Sequence, residues 1–362
     1  MYQKLPPIWL IKAISAFRTF LIQLNRKLFP GNVVLYEQFQ YLWLLPSIYV
    51  AAKLDIATLL KNKSLFAEEI AERLNVNTSN VFRLLRALSS QGIFKQNPDG
   101  RFSLNSMAKG LLNDPGSLRH MLLHHLGPVN WNLMSNLEYA VRTGEDAFID
   151  RYGKGIYEFL RDHPDENALF DKSMSNLSDI GLAPILNAYD FSNYAVIADI
   201  GGGEGFLLAN ILQNYPRCKG ILFDTPGALE KAPEMLGKHQ VEKRTEVVTG
   251  DFFNSLPGSC DLYLLKNIIH NWDDERSNEL LKKIYQAMKP DGRLLIIEMV
   301  VPAGNEPSLA KLLDIQMMAT MSGGKERTGQ EYRNILEASG FTLTQIIPTI
   351  APISLIEARK SG

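Results

Sequence analysis

Two cysteines in 362 residues, Cys218 and Cys260, exclude a disulfide framework, and neither belongs to a Cys-x-x-Cys pair. A reducing, cytoplasmic setting fits that scarcity. Net charge is as sparse: 38 basic and 39 acidic side chains leave a formal charge of −1, giving no global pull toward nucleic acid or an acidic partner. No apolar run can cross a bilayer, because the best one, "IWLIKAISAFRTFLIQLNRKLF", is broken by Lys12 and Arg18. It has no small-residue cleavage site of the signal-peptide kind. Internal repeats and low-complexity tracts are also missing. The last absence is local, since no acid precedes Glu37.

That acid-free opening holds Lys4, Lys12, Arg18, Arg26 and Lys27, so residues 1–35 read as a basic amphipathic arm. Apolar residues on more than one face favour packing on a partner subunit. The alternative is peripheral contact of residues 1–30 with an anionic membrane.

The rest is ordinary globular sequence, 46% hydrophobic and 21% charged, and its length suits two domains. Residues 36–185 read as mainly helical. Within them, Ile70, Leu74 and Val76 lead to a turn, and Thr78 or Ser79 can cap a helix bearing Val81, Leu84, Leu85 and Leu88. "GIFKQNPDGRFSLN" follows as a hairpin turning at "NPDG". Two helices and a hairpin make a winged-helix pattern, which raises a transcription regulator as the non-enzyme reading. A DNA-reading helix needs cationic and polar groups. This one offers Arg83 and Arg86 on otherwise apolar surface, behind a helix carrying Glu68, Glu69 and Glu72. No nucleic acid partner is expected, and dimerisation is the better use of the motif.

Residues 186–362 change style. "AVIADI", "KGILFD", "TEVVTGDFF", "CDLYLLKNII" and "GRLLIIEMVV" are short apolar runs separated by helix-compatible segments, the pattern of an open parallel sheet covered on both faces. "DIGGGEGF" puts Gly201, Gly203 and Gly205 directly after the first strand, with Phe206 where a dinucleotide loop would need its third glycine. The spacing favours a smaller nucleoside. Asp224 closes the second strand, where a carboxylate can accept from both ribose hydroxyls. Asp251 and Phe252 close the third, adding an acceptor and a flat apolar face for a purine. All three strand ends meet at one crevice.

In "LLKNIIHNWDDE", His270 stands where an apolar strand gives way to Asp273, Asp274 and Glu275, which suit the start of a helix. His120, His124 and His125 share one helical segment without further ligands in sight, so no metal is expected.

Taken in order, "DIGGGEG", "FDTP", "GDFF", "LLKNIIHNWDDE", "IIEMVVP" and "DIQMMATMSGGKERT" resemble the motifs of S-adenosylmethionine-dependent O-methyltransferases, the group of plant caffeic acid and bacterial antibiotic and pigment enzymes. The resemblance spans roughly residues 40–360 and leaves the arm outside. It implies an α/β fold: a Rossmann-like methyltransferase domain with a mostly parallel sheet, preceded by a mainly helical winged-helix dimerisation domain. It further implies a homodimer that uses S-adenosyl-L-methionine, releases S-adenosyl-L-homocysteine and needs no metal.

Carried over residue by residue, the resemblance gives cofactor contacts to Ser178, Gly201, Gly203, Asp224, Asp251, Phe252 and Lys266. It makes His270 the general base, flanked by Glu298 and Glu326. Trp131, Met134, Phe170, Met174, Met317 and Met321 fall near the family's acceptor pocket. Plant members commonly have asparagine where Met321 stands, which points to a more apolar acceptor here. The expected substrate is a small hydroxylated molecule, aromatic or otherwise apolar. A carotenoid or isoprenoid hydroxyl, or a sulfur or nitrogen acceptor, stays open.

Overall fold

The computed structural model describes Pro6 and residues 8–361. The chain forms two units that interleave along the sequence. One joins Asn136–Ile156 and Gly181–Gly362 with the residues up to Ser15; the other is Ala16–Ser135 with Tyr157–Ile180. A single boundary near residue 185 therefore does not describe the division, because Asn136–Ile156 belongs with the sheet.

Helix α1 (Ile8–Lys27) opens the chain. In the helical unit, α2 (Ala67–Leu74) and α3 (Thr78–Ser90) are followed by a hairpin of β1 (Lys95–Gln96) and β2 (Phe102–Ser103). Asn77, rather than Thr78 or Ser79, caps α3, its side-chain oxygen accepting from the Asn80 N–H at 3.0 Å. The helix starts one residue earlier than Thr78 or Ser79 as caps would allow, and asparagine is among the strongest caps. "NPDG" closes as a turn through Gly100 N–H to Asn97 O at 2.9 Å. Ile70, Val81, Leu85, Leu88 and Phe102 are buried together, so this wing packs its own core. The long helix α4 (Pro164–Ala188) comes later in the chain.

The sheet unit runs β3 (Val196–Ile200), α5 (Phe206–Asn214), β4 (Lys219–Asp224), β5 (Thr245–Thr249), β6 (Leu262–Lys266), α6 (Asp274–Ala287) and β7 (Arg293–Val301). Then come α7 (Leu309–Thr320), β8 (Arg327–Thr328), α8 (Gly329–Ala338), β9 (Phe341–Pro348) and β10 (Ile353–Lys360). Strand order is β5-β4-β3-β6-β7-β10-β9. The first five are parallel, whereas β10 is antiparallel to both β7 and β9. A short turn joins β9 to β10, and only antiparallel strands can be so joined. Within the strands, alternate residues enter opposite cores: Ile197, Leu222 and Leu295 on one side, Ala198, Phe223 and Ile296 on the other. Burial on both faces is why these strands read as unbroken apolar runs.

Strand order reverses between β3 and β6, opening a crevice at their C-terminal ends. Glu298 lies inside β7, which continues to Val301, and pairs in register with Ser354 of β10.

The start of α8 is held by a reciprocal cap: Thr328 Oγ1 accepts from Glu331 N–H at 3.2 Å, and Glu331 Oε2 accepts from Thr328 N–H at 2.7 Å. Thr328→Ala is expected to lower unfolding free energy by about 1 kcal/mol in urea titrations.

Candidate active site

The glycine loop after β3 makes a cradle. Gly203 sits at φ +56°, a conformation L side chains rarely adopt, and a Cβ there would meet nothing within 4 Å. Its N–H donates to Asp224 Oδ2 at 2.9 Å, while Thr225 N–H donates to Oδ1 at 2.7 Å. Each carboxylate oxygen keeps a further lone pair, enough for a vicinal diol. Gly201, also at positive φ, lies against Ile268 and the Phe252 ring. Asp251 fixes its own turn by accepting from Phe253 N–H at 2.8 Å. Phe252 is half-buried, 4.8 Å from Phe253 and 6.3 Å from Trp272 between ring centroids.

Beneath this loop lies Asp199, a residue the sequence reading passed over. It is 2% exposed, and its Oδ2 has no hydrogen-bond partner among the described residues. Burial pushes its carboxyl up to about 7, against the pull of Lys266. Burial likewise lowers the Lys266 ammonium, which Asp199 partly restores. An acid inside the apolar run "AVIADI" was the visible signal. The orphaned oxygen, the open face of Gly203 and the spare lone pairs of Asp224 suit a nucleoside carrying a cationic group.

The second half of the crevice is the turn after β6. The chain leaves the strand through Asn267 at φ +55°, which asparagine tolerates better than most, and enters a 3₁₀ turn over Ile269–Asn271. Such a turn leaves its first N–H groups without backbone partners. Glu298 supplies one: its Oε1 accepts from Ile268, Ile269 and His270 N–H at 2.9, 2.7 and 3.3 Å. The buried Tyr332 hydroxyl donates to the other oxygen. Glu298 thus grips the backbone under His270, and its hydrogen bonds do not go to the ring.

The ring belongs to Glu326. His270 Nδ1 lies 2.7 Å from Glu326 Oε1, with the His270 side chain 15% exposed and that of Glu326 fully buried. A carboxylate can only accept, so Nδ1 carries the proton and Nε2 keeps its lone pair. Nε2 has no partner among the described residues. Burial pulls the imidazole pKa down, but the Glu326 hydrogen bond and the charges of Glu298 and Glu326 outweigh it, and the net shift is upward.

Segment 324–327 is pressed against this turn. A Cβ on Gly324 would lie 3.0 Å from the His270 carbonyl oxygen and 2.6 Å from Met321 Cβ, so only glycine permits the approach. Lys325 N–H donates to His270 O at 2.9 Å. The fully buried Arg327 guanidinium donates to Ile269 O, Trp272 O and Asp274 Oδ1 at 3.0, 2.9 and 2.8 Å. Asp273 caps α6 through Arg276 N–H at 2.8 Å. The acids beside His270 therefore divide the work: one starts the helix, and Asp274 anchors the strand that delivers Glu326. Nothing in "KERT" announced a buried arginine, a residue ordinarily left in solvent.

The remaining expected residues are divided between the units. Met317 is buried on α7, and Met321 is half-buried against Gly324 in the sheet unit. Trp131 and Met134, 38% and 37% exposed, lie in the helical unit with half-buried Phe170, Met174 and Ser178. His124 packs at 5.4 Å from Phe170, and burial lowers its pKa to about 4. No group of three or more potential metal ligands occurs among the described residues.

The O-methyltransferase domain model matches residues 134–342, and the O-methyltransferase dimerisation domain model matches 36–114. A phenazine O-methyltransferase of Lysobacter antibioticus is 35% identical, covering 91% of this chain and 96% of its own. An 8-amino-8-demethylriboflavin N,N-dimethyltransferase of Streptomyces davaonensis is 32% identical, covering 87% and 91%. The S-adenosylhomocysteine-bound structure of a methyltransferase of calicheamicin biosynthesis superposes with a TM-score of 0.83 at 28% identity, covering 91% and 98%.

Two measurements check the geometry. In NMR titrations His270 is expected to protonate above its ordinary 6.5, and Glu326→Gln to move that midpoint to lower pH; an unmoved midpoint would break the proposed coupling. Arg327→Met strands the carbonyls of Ile269 and Trp272 and is expected to cost about 2–3 kcal/mol of stability by denaturant unfolding.

Proposed function

The chain belongs to the O-methyltransferase family, having both its catalytic and its dimerisation domain, and from that premise we propose that His270 takes the proton from the acceptor hydroxyl. The protein is an S-adenosylmethionine-dependent O-methyltransferase acting on a hydroxyl of a small aromatic or otherwise apolar natural product. It works as a homodimer joined through the dimerisation domain.

When bound, S-adenosylmethionine supplies a methyl carbon on a sulfonium, so transfer forms one O–C bond and breaks one S–C bond. The protein's share is to align the oxygen and to receive its proton. A phenol near pKa ~10 and a histidine near ~6.5 differ by roughly 5 kcal/mol in proton affinity, which makes full deprotonation before attack unfavourable. Two features of the site narrow that gap. Glu326 on Nδ1 and the charge of Glu298 beneath raise the imidazole pKa. The proton can also move to Nε2 as the oxygen attacks, so the base need only be held in place. Gly201, Gly203, Asp224, Asp251, Phe252 and Lys266 are assigned to the cofactor, and Asp199 joins them as the buried charge beside Lys266.

The observation that carries this reading is the 2.7 Å bond from His270 Nδ1 to a buried carboxylate, with Nε2 left to accept. The flavin-type relative's name shows that nitrogen acceptors occur nearby in the family. An amine presents a free lone pair and needs no base for its attack, so a positioned imidazole with a raised pKa favours a hydroxyl acceptor here.

His270→Ala is expected to lower kcat by about 10²–10⁴-fold while S-adenosylmethionine binding, followed by calorimetry, stays near wild type. Turnover retained by that variant would remove His270 from the mechanism. Screening phenolic, quinonoid and isoprenoid hydroxyl compounds, with S-adenosylhomocysteine release as the readout, identifies the acceptor class.

A further inference from the structure

Helix α1 lies before the dimerisation match, which begins at residue 36. We propose that α1 lies flat on an anionic lipid surface and anchors the enzyme there.

The helix bounds fix the phase that the sequence left open. At 3.6 residues per turn, Trp9, Leu10, Ile14, Phe17, Phe20 and Leu24 share one face roughly 140° wide. All six are between 36% and 70% exposed. The opposite face carries Ser15, Arg18, Thr19, Gln23 and Arg26, with Ile11 and Ile22 as its apolar exceptions. Lys27 follows at the end, and no acid precedes Glu37. An uncovered face of this size needs an occupant.

Charge decides between the two available. A second copy of a chain with net charge −1 gives a cationic helix little to complement. An anionic bilayer answers both faces at once: aromatic and aliphatic side chains enter the acyl boundary while the arginines stay at the headgroups. Tyr36, Phe39, Leu42 and Trp43 are also exposed, but they fall inside the dimerisation match. Among the described residues no helix is long and apolar enough to cross a membrane. A homodimer presents two such helices, and the second then binds at high effective concentration.

The test is co-sedimentation of the full chain with vesicles of phosphatidylcholine alone and of an equimolar phosphatidylcholine and phosphatidylglycerol mixture, at low and high salt. Binding is expected to the mixed vesicles and to weaken with salt. Arg18→Glu/Arg26→Glu and, separately, Phe17→Ser/Phe20→Ser should each reduce the partition coefficient at least about tenfold. Melting temperature and dimer mass by light scattering should not change. Absent binding to the mixed vesicles, or variants that bind like wild type, would overturn the proposal. So would a dimer that falls to monomer in the phenylalanine variant without lipid, which would assign the face to a second copy.

Discussion

A glutamate side chain without solvent, in the middle of an interior strand, is tolerable only when its oxygens find donors. Glu298 finds four: three consecutive N–H groups of the turn after β6 and the Tyr332 hydroxyl. Those N–H groups in turn have no carbonyl of their own to bond. Each side removes the other's desolvation cost, and the result fixes where His270 leaves the sheet. Tyr332 extends the constraint to α8, so the strand, the turn and the helix behind them are registered on one carboxylate.

The second constraint comes from farther along the chain. Glu326 reaches the imidazole from the residue just before a two-residue strand, β8, which pairs with the end of β7. Gly324 lets the backbone come close, and Arg327 ties that backbone to the carbonyls of the histidine turn and to Asp274. The ring is thereby held by its Nδ1 while its outer nitrogen stays available. Orientation of the imidazole comes from backbone placement on both sides, with one side-chain bond to complete it.

Much of this was legible in the sequence, for identifiable reasons. Apolar runs marked β3, β4, β6 and β7, because a strand buried on both faces leaves little choice of residue. The positions of the glycine loop and of Asp224 and Asp251 were readable because each follows or closes an apolar strand. The antiparallel closing hairpin was not, since "FTLTQIIP" and "ISLIEARK" carry no motif and direction is set by connection length. The role of Glu298 was also hidden: a pattern of residues can place an acid near a histidine but cannot tell a bond to its ring from a bond to its backbone. Arg327 and Asp274 escaped because charged residues in a short polar stretch read as surface until tertiary contacts bury one of them. Interleaving of the two units escaped for the same reason, since composition changes gradually where the chain crosses between them.

The place of β10 in the sheet has a consequence for how the molecule is made. β10 follows every other strand in the chain, yet it sits between β7 and β9, against the strand that carries Glu298. During synthesis β7 therefore emerges as an edge, with one side of its backbone unpaired and open to wrong partners. The interior of the sheet closes only when its final strand slides in beside it. Spatial order in the sheet thus departs from order of synthesis, and the histidine turn gains its settled footing at the last step.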